Sequence, residues 1–298
     1  MRIGFFGDGP WAHLALAEII ADPLLEVDFI CGRRSQYDAE LERIAISEGI
    51  AFTAPQAVNQ EPFLSFARDS GCDVFASMSY DQILRKTLLS IPPLRVINCH
   101  AGRLPFYRGR NVLNWVLVND ETHFGVTVHY VDEGIDTGDI ILQELLPIHD
   151  SDDYGTLLAR ATPACAKLLH RALGLIESGK VEAVPQSDLD PVGMYCVGRR
   201  LGDEVIDWNN YSRDVFNLVR AVAAPGPLAS TYLRDEEVKI VRAEMVPGAP
   251  IYRGIPGSVV GKDGPWLMVK CLDSIVRVKT LDDSLRVAVG DRFSCPRS

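Results

Sequence analysis

"RIGFFGDGPWAHLALAEIIADPLLEVDFICG", residues 2–32, decides the fold class. RIGFFG is an apolar run ending on glycine, GDGP is a turn, and WAHLALAEII carries apolar residues at helical spacing. EVDFICG is then a second apolar run. Alternating short apolar strands with a helix of period 3.6 is the pattern of a parallel sheet, whose neighbouring strands need a crossover between them. The same alternation runs on through CDVFASMS (72–79, strand), DQILRKTLL (81–89, helix) and LRVIN (94–98, strand). NVLNWVLVN (111–119) reads as a helix, FGVTVHYV (124–131) as a strand, DEGIDTGD (132–139) as a loop and IILQELLPI (140–148) as a strand. Residues 152–178 form one long amphipathic helical pattern.

From about residue 205 the style changes. One helix, SRDVFNLVRAVA, precedes short strands VKIVRA, GSVVG, WLMVKC and SIVRVKTL, punctuated by Gly and Pro. That pattern predicts a small barrel or sandwich. The fold class expected is α/β: a Rossmann-like, doubly wound, mostly parallel sheet over 1–204, with a smaller β-rich C-terminal domain over 205–298.

Charge follows the same division. Residues 205–298 hold 13 Lys/Arg against 11 Asp/Glu, a net of +2, while the whole chain carries −10. Neither value is the basic footprint that nucleic-acid or anionic-membrane binding needs. No run of eighteen apolar residues occurs, so a membrane span is not expected. The seven cysteines are scattered, odd in number and without a C-x-x-C pair. That usage argues for reduced thiols in the cytoplasm and against a thiolate metal site. With no H-x-x-x-H or H-x-D spacing either, no metal is expected.

INCHAGRLPFYRG, residues 97–109, sets an amide and an imidazole two positions apart where the LRVIN strand ends. Alternate strand residues share a face, so Asn98 and His100 point one way and Cys99 the other. Loops past the carboxyl ends of strands are where open α/β sheets bind ligands. An imidazole with its ordinary pKa of about 6.5 serves as a general base near neutrality, and a carboxylate from the 132–139 loop would fix its tautomer. An asparagine N–H can hold an oxyanion. With no G-x-S-x-G nucleophile elbow present, base plus oxyanion donor suits direct acyl transfer to an amine. Arg103, Arg108 and Arg110 cluster beside the pair, and guanidinium forks suit a diphosphate. A separate reading takes GDGPWA (7–12) as G-x-G-x-x-A and Arg33-Arg34 as the partner of a 2′-phosphate, giving an NADP-binding protein.

Residues 97–143 carry a longer pattern: Asn98, His100, Leu104-Pro105, Tyr107-Arg108-Gly109, Trp115, Gly125-Val126-Thr127, His129 and Asp136-Thr137-Gly138. This resembles the central signature of the 10-formyltetrahydrofolate-dependent formyltransferase family, which includes methionyl-tRNA formyltransferase, glycinamide ribonucleotide transformylase and the sugar N-formyltransferases. The resemblance implies Asn98, His100 and Asp136 as catalytic residues. It further implies that Met78, Ser79, Tyr80, Arg108, Gly109, Asp132, Gly134 and Asp136 bind the folate co-substrate. Ile206-Asp207-Trp208, Arg220 and Pro225-Gly226 resemble the entry to that family's second domain. The chain departs from the family where Gly102-Arg103-Leu104-Pro105 replaces Ser-Leu-Leu-Pro. HAGRLPFYRGRN is similar to the aminosugar branch. The expected acceptor is therefore a nucleotide-linked amino sugar of surface polysaccharide (lipopolysaccharide O-antigen) synthesis, held by Arg103, Tyr107 and Arg110. Methionyl-tRNA is the alternative, and a homodimer is one state the reading leaves open.

Overall fold

The structure is a computed structural model and describes residues 1–295. Its strands are β1 (Arg2–Gly7), β2 (Glu26–Cys31), β3 (Ala51–Thr53), β4 (Val74–Met78), β5 (Val96–His100), β6 (Arg108–Gly109), β7 (His123–Tyr130), β8 (Ile140–Pro147), β9 (Tyr195–Cys196), β10 (Ala229–Leu233), β11 (Glu236–Met245), β12 (Val259–Asp263), β13 (Trp266–Lys270) and β14 (Ile275–Thr280). The helices are α1 (Gly9–Ile20), α2 (Ala39–Glu48), α3 (Phe63–Asp69), α4 (Lys86–Leu89), α5 (Val112–Val118), α6 (Tyr154–Glu177), α7 (Gln186–Leu189) and α8 (Ser212–Ala221). They form two compact units, each built from three stretches of chain. Unit 1 is Met1–Gly109, Phe124–Leu146 and Ala159–Cys196; unit 2 is Arg110–His123, Pro147–Leu158 and the chain from Val197 onward.

Unit 1 holds a seven-stranded sheet in the order β3-β2-β1-β4-β5-β7-β8. The first five strands pair in parallel and β7 lies antiparallel to β5, as the alternating pattern predicts. Strand order reverses between β1 and β4, the place where a doubly wound sheet opens a crevice past its carboxyl ends. Under the sheet, Phe6, Phe29, Phe63 and Phe75 pack rim to face, with Phe6 and Phe29 centroids 5.7 Å apart. Such pairs add about 0.5–1.5 kcal/mol beyond their buried area.

The helix expected over 81–89 shrinks to α4. Asn59 explains why: its Oδ1 accepts from Arg85 N at 2.8 Å and its Nδ2 donates to Ile83 O at 2.8 Å. Backbone groups that a helix would use are taken by a side chain from elsewhere, so local propensity loses to tertiary bonding.

Unit 2 holds an antiparallel five-stranded sheet, β10-β11-β14-β13-β12. Isolated bridges from Ser294 to Tyr232 and from Arg292 to Ser258 let the chain around 292–294 link one edge strand to the start of the other, as the closing strand of a small barrel does. The amphipathic α8 covers the sheet, packing Val215, Phe216 and Val219 among Val238, Ile240, Val276 and Val278. Within the same unit Asn114 of α5 donates to Ala221 O, and Arg213 reaches both Asp120 and Asp150 at 2.6 Å. Lys270 is buried, its ammonium donating to Cys271 O at 2.6 Å and Leu272 O at 3.3 Å beneath the Tyr252 ring.

Candidate active site

Strand β5 lies between β4 and β7, with Asn98 opposite His129 and His100 opposite Thr127. Cys99 faces away, its Sγ 3.5 Å from Cys165 O on α6. The loop after β5 is pinned from the neighbouring strands. Thr127 Oγ1 donates to Gly102 O at 2.7 Å, and Gln143 Nε2 donates to Leu104 O at 2.8 Å. Gly102 has a steric reason: a Cβ there would stand 2.5 Å from both His100 Nε2 and Tyr107 O.

Hydrogen-bond partners fix the protons. His100 Nε2 lies 2.7 Å from Tyr107 O, which can only accept, so Nε2 carries a hydrogen. The other ring nitrogen, Nδ1, faces Asp136 Oδ2 at 3.7 Å. His129 Nδ1 is 2.7 Å from Tyr130 O and so donates, leaving Nε2 to accept from Asn98 Nδ2 at 3.3 Å. That bond sets which end of the Asn98 amide is NH₂ and uses one of its two hydrogens. Asp136 closes the group, with Oδ1 3.6 Å from His129 Nε2 and Oδ2 accepting from Gly109 N at 2.9 Å. Burial alone would raise the Asp136 carboxyl, but at the acid pH where it titrates the protonated His100 and His129 rings and the Gly109 N–H together hold it well below the usual carboxylate range. One carboxylate, two imidazoles and one amide therefore converge at the ends of β5 and β7.

Residues 32–173 match the formyl transferase family model, and residues 201–288 match the formyl transferase C-terminal domain. Methionyl-tRNA formyltransferase of Pelobacter propionicus is 35% identical over 81% of this chain and 73% of its own length. The chain belongs to the formyl transferase family. Methionyl-tRNA formyltransferase of Thermodesulfovibrio yellowstonii is 32% identical over 92% of this chain and 88% of its own. Among solved structures, a sugar 3N-formyl transferase crystallised with dTDP and 5-N-formyl-THF has a TM-score of 0.71 at 20% identity. That match covers 95% of this chain and 98% of that one, and it is a likeness of fold.

Of the residues expected in this formyltransferase's site, Asn98, His100, Asp136 and Gly109 are brought together. Others are placed differently. Arg108 is buried, and its Nε and Nη2 donate to Gln186 Oε1 at 3.0 and 2.7 Å, so its guanidinium is not turned to a ligand. Tyr107 is buried and serves His100 through its carbonyl. Met78 is buried, and the Tyr80 hydroxyl contacts Cys31 Sγ at 3.4 Å beside Phe6. Ser79 is engaged by Arg33 through both its carbonyl and its hydroxyl. Asp132 Oδ1 accepts from Gly134 N at 3.0 Å and Thr137 Oγ1 at 2.5 Å, so it shapes its own loop. Arg103 and Arg110 are exposed.

Arg33 also pairs with Asp8 at 3.3 Å, which puts a carboxylate in the glycine turn where the NADP reading needs a pyrophosphate. That reading is dropped. His129 was not expected in the site, although its two-residue spacing from Thr127 on a strand puts both on the Asn98 side. Gln186 was not expected either, and nothing near it in sequence signals a role.

Proposed function

We propose that this formyltransferase moves a formyl group from 10-formyltetrahydrofolate to the amine of a nucleotide-linked amino sugar, a 4-amino-4-deoxy or 4-amino-4,6-dideoxy hexose. The observation that carries the reaction is the Asn98 amide. One N–H is committed to His129, which leaves the second to meet a carbonyl oxygen as it gains negative charge. Losing such a donor costs about 2.7–4 kcal/mol of transition-state stabilisation. Beside it, His100 has one nitrogen committed to Tyr107 O, so the proton released by an attacking amine is taken at Nδ1. There the Asp136 carboxylate stabilises the imidazolium that forms, which returns the proton to N10 as the formyl–N10 bond breaks and tetrahydrofolate leaves. No covalent enzyme intermediate is needed.

For the donor, a cleft of about 320 Å³ is lined by Leu84, Arg85, Lys86, Thr87 and Glu133, next to the 132–138 loop. Its two cations suit the glutamyl carboxylates of a folate. For the acceptor, exposed Arg103 on the loop after β5 suits a phosphate, and the near-neutral C-terminal stretch argues against RNA, whose affinity rests on phosphate contacts. Methionyl-tRNA is the second reading, favoured by the names of the relatives at 35% and 32% identity.

The test mixes the protein with 10-formyltetrahydrofolate and a panel of nucleotide-linked amino sugars, following tetrahydrofolate release and the product mass. One added formyl group on a panel member is the expected result. If the panel is silent and charged initiator tRNA is formylated, with a rate that falls steeply as salt rises, the sugar reading is replaced by the tRNA one.

A further inference from the structure

Asp136 is a non-glycine residue at φ +54°, a backbone conformation that needs support from its surroundings. Two contacts supply it. On the side-chain end, Gly109 N donates to the carboxylate. On the main-chain end, Gln186 Nε2 donates to Asp136 O and to Gly138 O, both at 2.8 Å. Gln186 is 3% exposed, and its other end, Oε1, accepts two bonds from the Arg108 guanidinium. A guanidinium only donates, so the amide has one orientation and both its N–H groups face the loop. Gly138 leaves no slack there, because a Cβ on it would overlap the Tyr130 carbonyl. Arg108 and Gly109 are adjacent, so one short strand, β6, holds Asp136 from both ends.

We propose that Gln186 is a positioning residue for formyl transfer: oriented by Arg108, it fixes the main chain at Asp136 and Gly138 and thereby aims the Asp136 carboxylate at His100 and His129. This rests on the reading above in which Asp136 acts in the reaction. The physical basis is lever length. The pinned carbonyl is on the same residue as the working carboxylate, and a misplacement of about 1 Å in a reacting constellation can cost about 100-fold.

Gln186→Glu separates the two ends of the clamp. Its carboxylate still accepts from Arg108, now with charge assistance, but it has no hydrogen for either loop carbonyl. Gln186→Met is the second variant; it breaks both ends at similar volume and buries no new charge. Turnover is read as tetrahydrofolate release from 10-formyltetrahydrofolate with the nucleotide-linked amino sugar of the panel, or the charged initiator tRNA, that the wild type formylates, and loop position as hydrogen exchange at Gly109 N–H, which reports the Asp136 bond without any acceptor. Asp136→Asn is the reference. The expected result is a fall in kcat of about 10- to 100-fold with the donor KM within about two-fold, and faster exchange at Gly109. Adding Gln186→Glu to Asp136→Asn should lower kcat no further, because the effect acts through that carboxylate.

The inference is overturned if both Gln186 variants keep kcat within two-fold of wild type while Asp136→Asn is crippled, if Gly109 exchange is unchanged in both, or if the losses multiply in the double variant. Full turnover in Asp136→Asn itself would sink the underlying reading instead. Gly109 exchange would then still decide whether Gln186 places the loop.

Discussion

Arg108 in unit 1 and Lys270 in unit 2 are both buried cations that make no direct ion pair among the described residues. Each is held by oxygen acceptors and an aromatic ring. Arg108 uses Gln186 Oε1, Val192 O and the Tyr195 ring, and Lys270 uses the carbonyls of Cys271, Leu272 and Ser274 with the Tyr252 ring. Both satisfy the rule that a buried charge must have its donors met. They differ in where the bonding leads. Arg108 is one amide away from the backbone of Asp136, whereas Lys270 closes on residues one to four positions from itself. The same device reaches the candidate site in one unit and closes on its own neighbourhood in the other.

The largest effects set the scale for that comparison. His100→Ala should lower kcat by about 100- to 10,000-fold and Asn98→Ala by about 100- to 1,000-fold, each with little change in donor KM. A rise in KM at full kcat would remove either residue from the transition state. Gly102→Ala should follow at about 100-fold, since the methyl displaces the imidazole from Tyr107 O; wild-type turnover would mean His100 does not need that bond.

The comparison itself is tested by paired substitutions. Arg108→Met frees Gln186 and should lower kcat about ten-fold in the folded protein. Lys270→Met leaves buried carbonyls unmet, worth about 1–3 kcal/mol, so it should lower the Tm by several degrees with kcat within two-fold. Equal losses of activity in the two would erase the distinction.

The smallest effect is a pH dependence. The Asp136 carboxyl is held below its ordinary value in the folded protein, so its stabilisation is complete above about pH 4 and fades as pH falls further. The Tm gap between wild type and Asp136→Asn should therefore close as pH falls below about 4. A gap that widens on acidification would reverse the sign of that assignment.

Strands β1, β2, β4 and β5 were legible because each is a mostly apolar run, and the β1–β2 crossover because its helix is periodic, whereas the three-residue β3 and the helices α2 and α3 beside it were not. Asn98 and His100 were legible because strand alternation alone puts them on one face, and Asp136 because it sits in a long ordered pattern. Arg108 was misread as a ligand contact: nothing local distinguishes a surface arginine from one drawn inward by a glutamine 78 positions away. Local sequence likewise carries no sign that Met78 is buried and that the Tyr80 ring packs on Phe6. The 81–89 helix failed because Asn59, remote in sequence, takes its backbone groups.

Unit 2 is assembled from three separate stretches of chain, with Asn114 bonded to the end of α8 and Arg213 bridging Asp120 and Asp150. It is thus not a cassette appended to a finished enzyme. A gene cut near codon 200 would strand α5 and the 147–158 stretch without the helix they pack with. Exchanging this unit between family members would require three segments to be traded together, with a crossover at each of five junctions, so recombination should find it far harder to trade than its single block of strands implies.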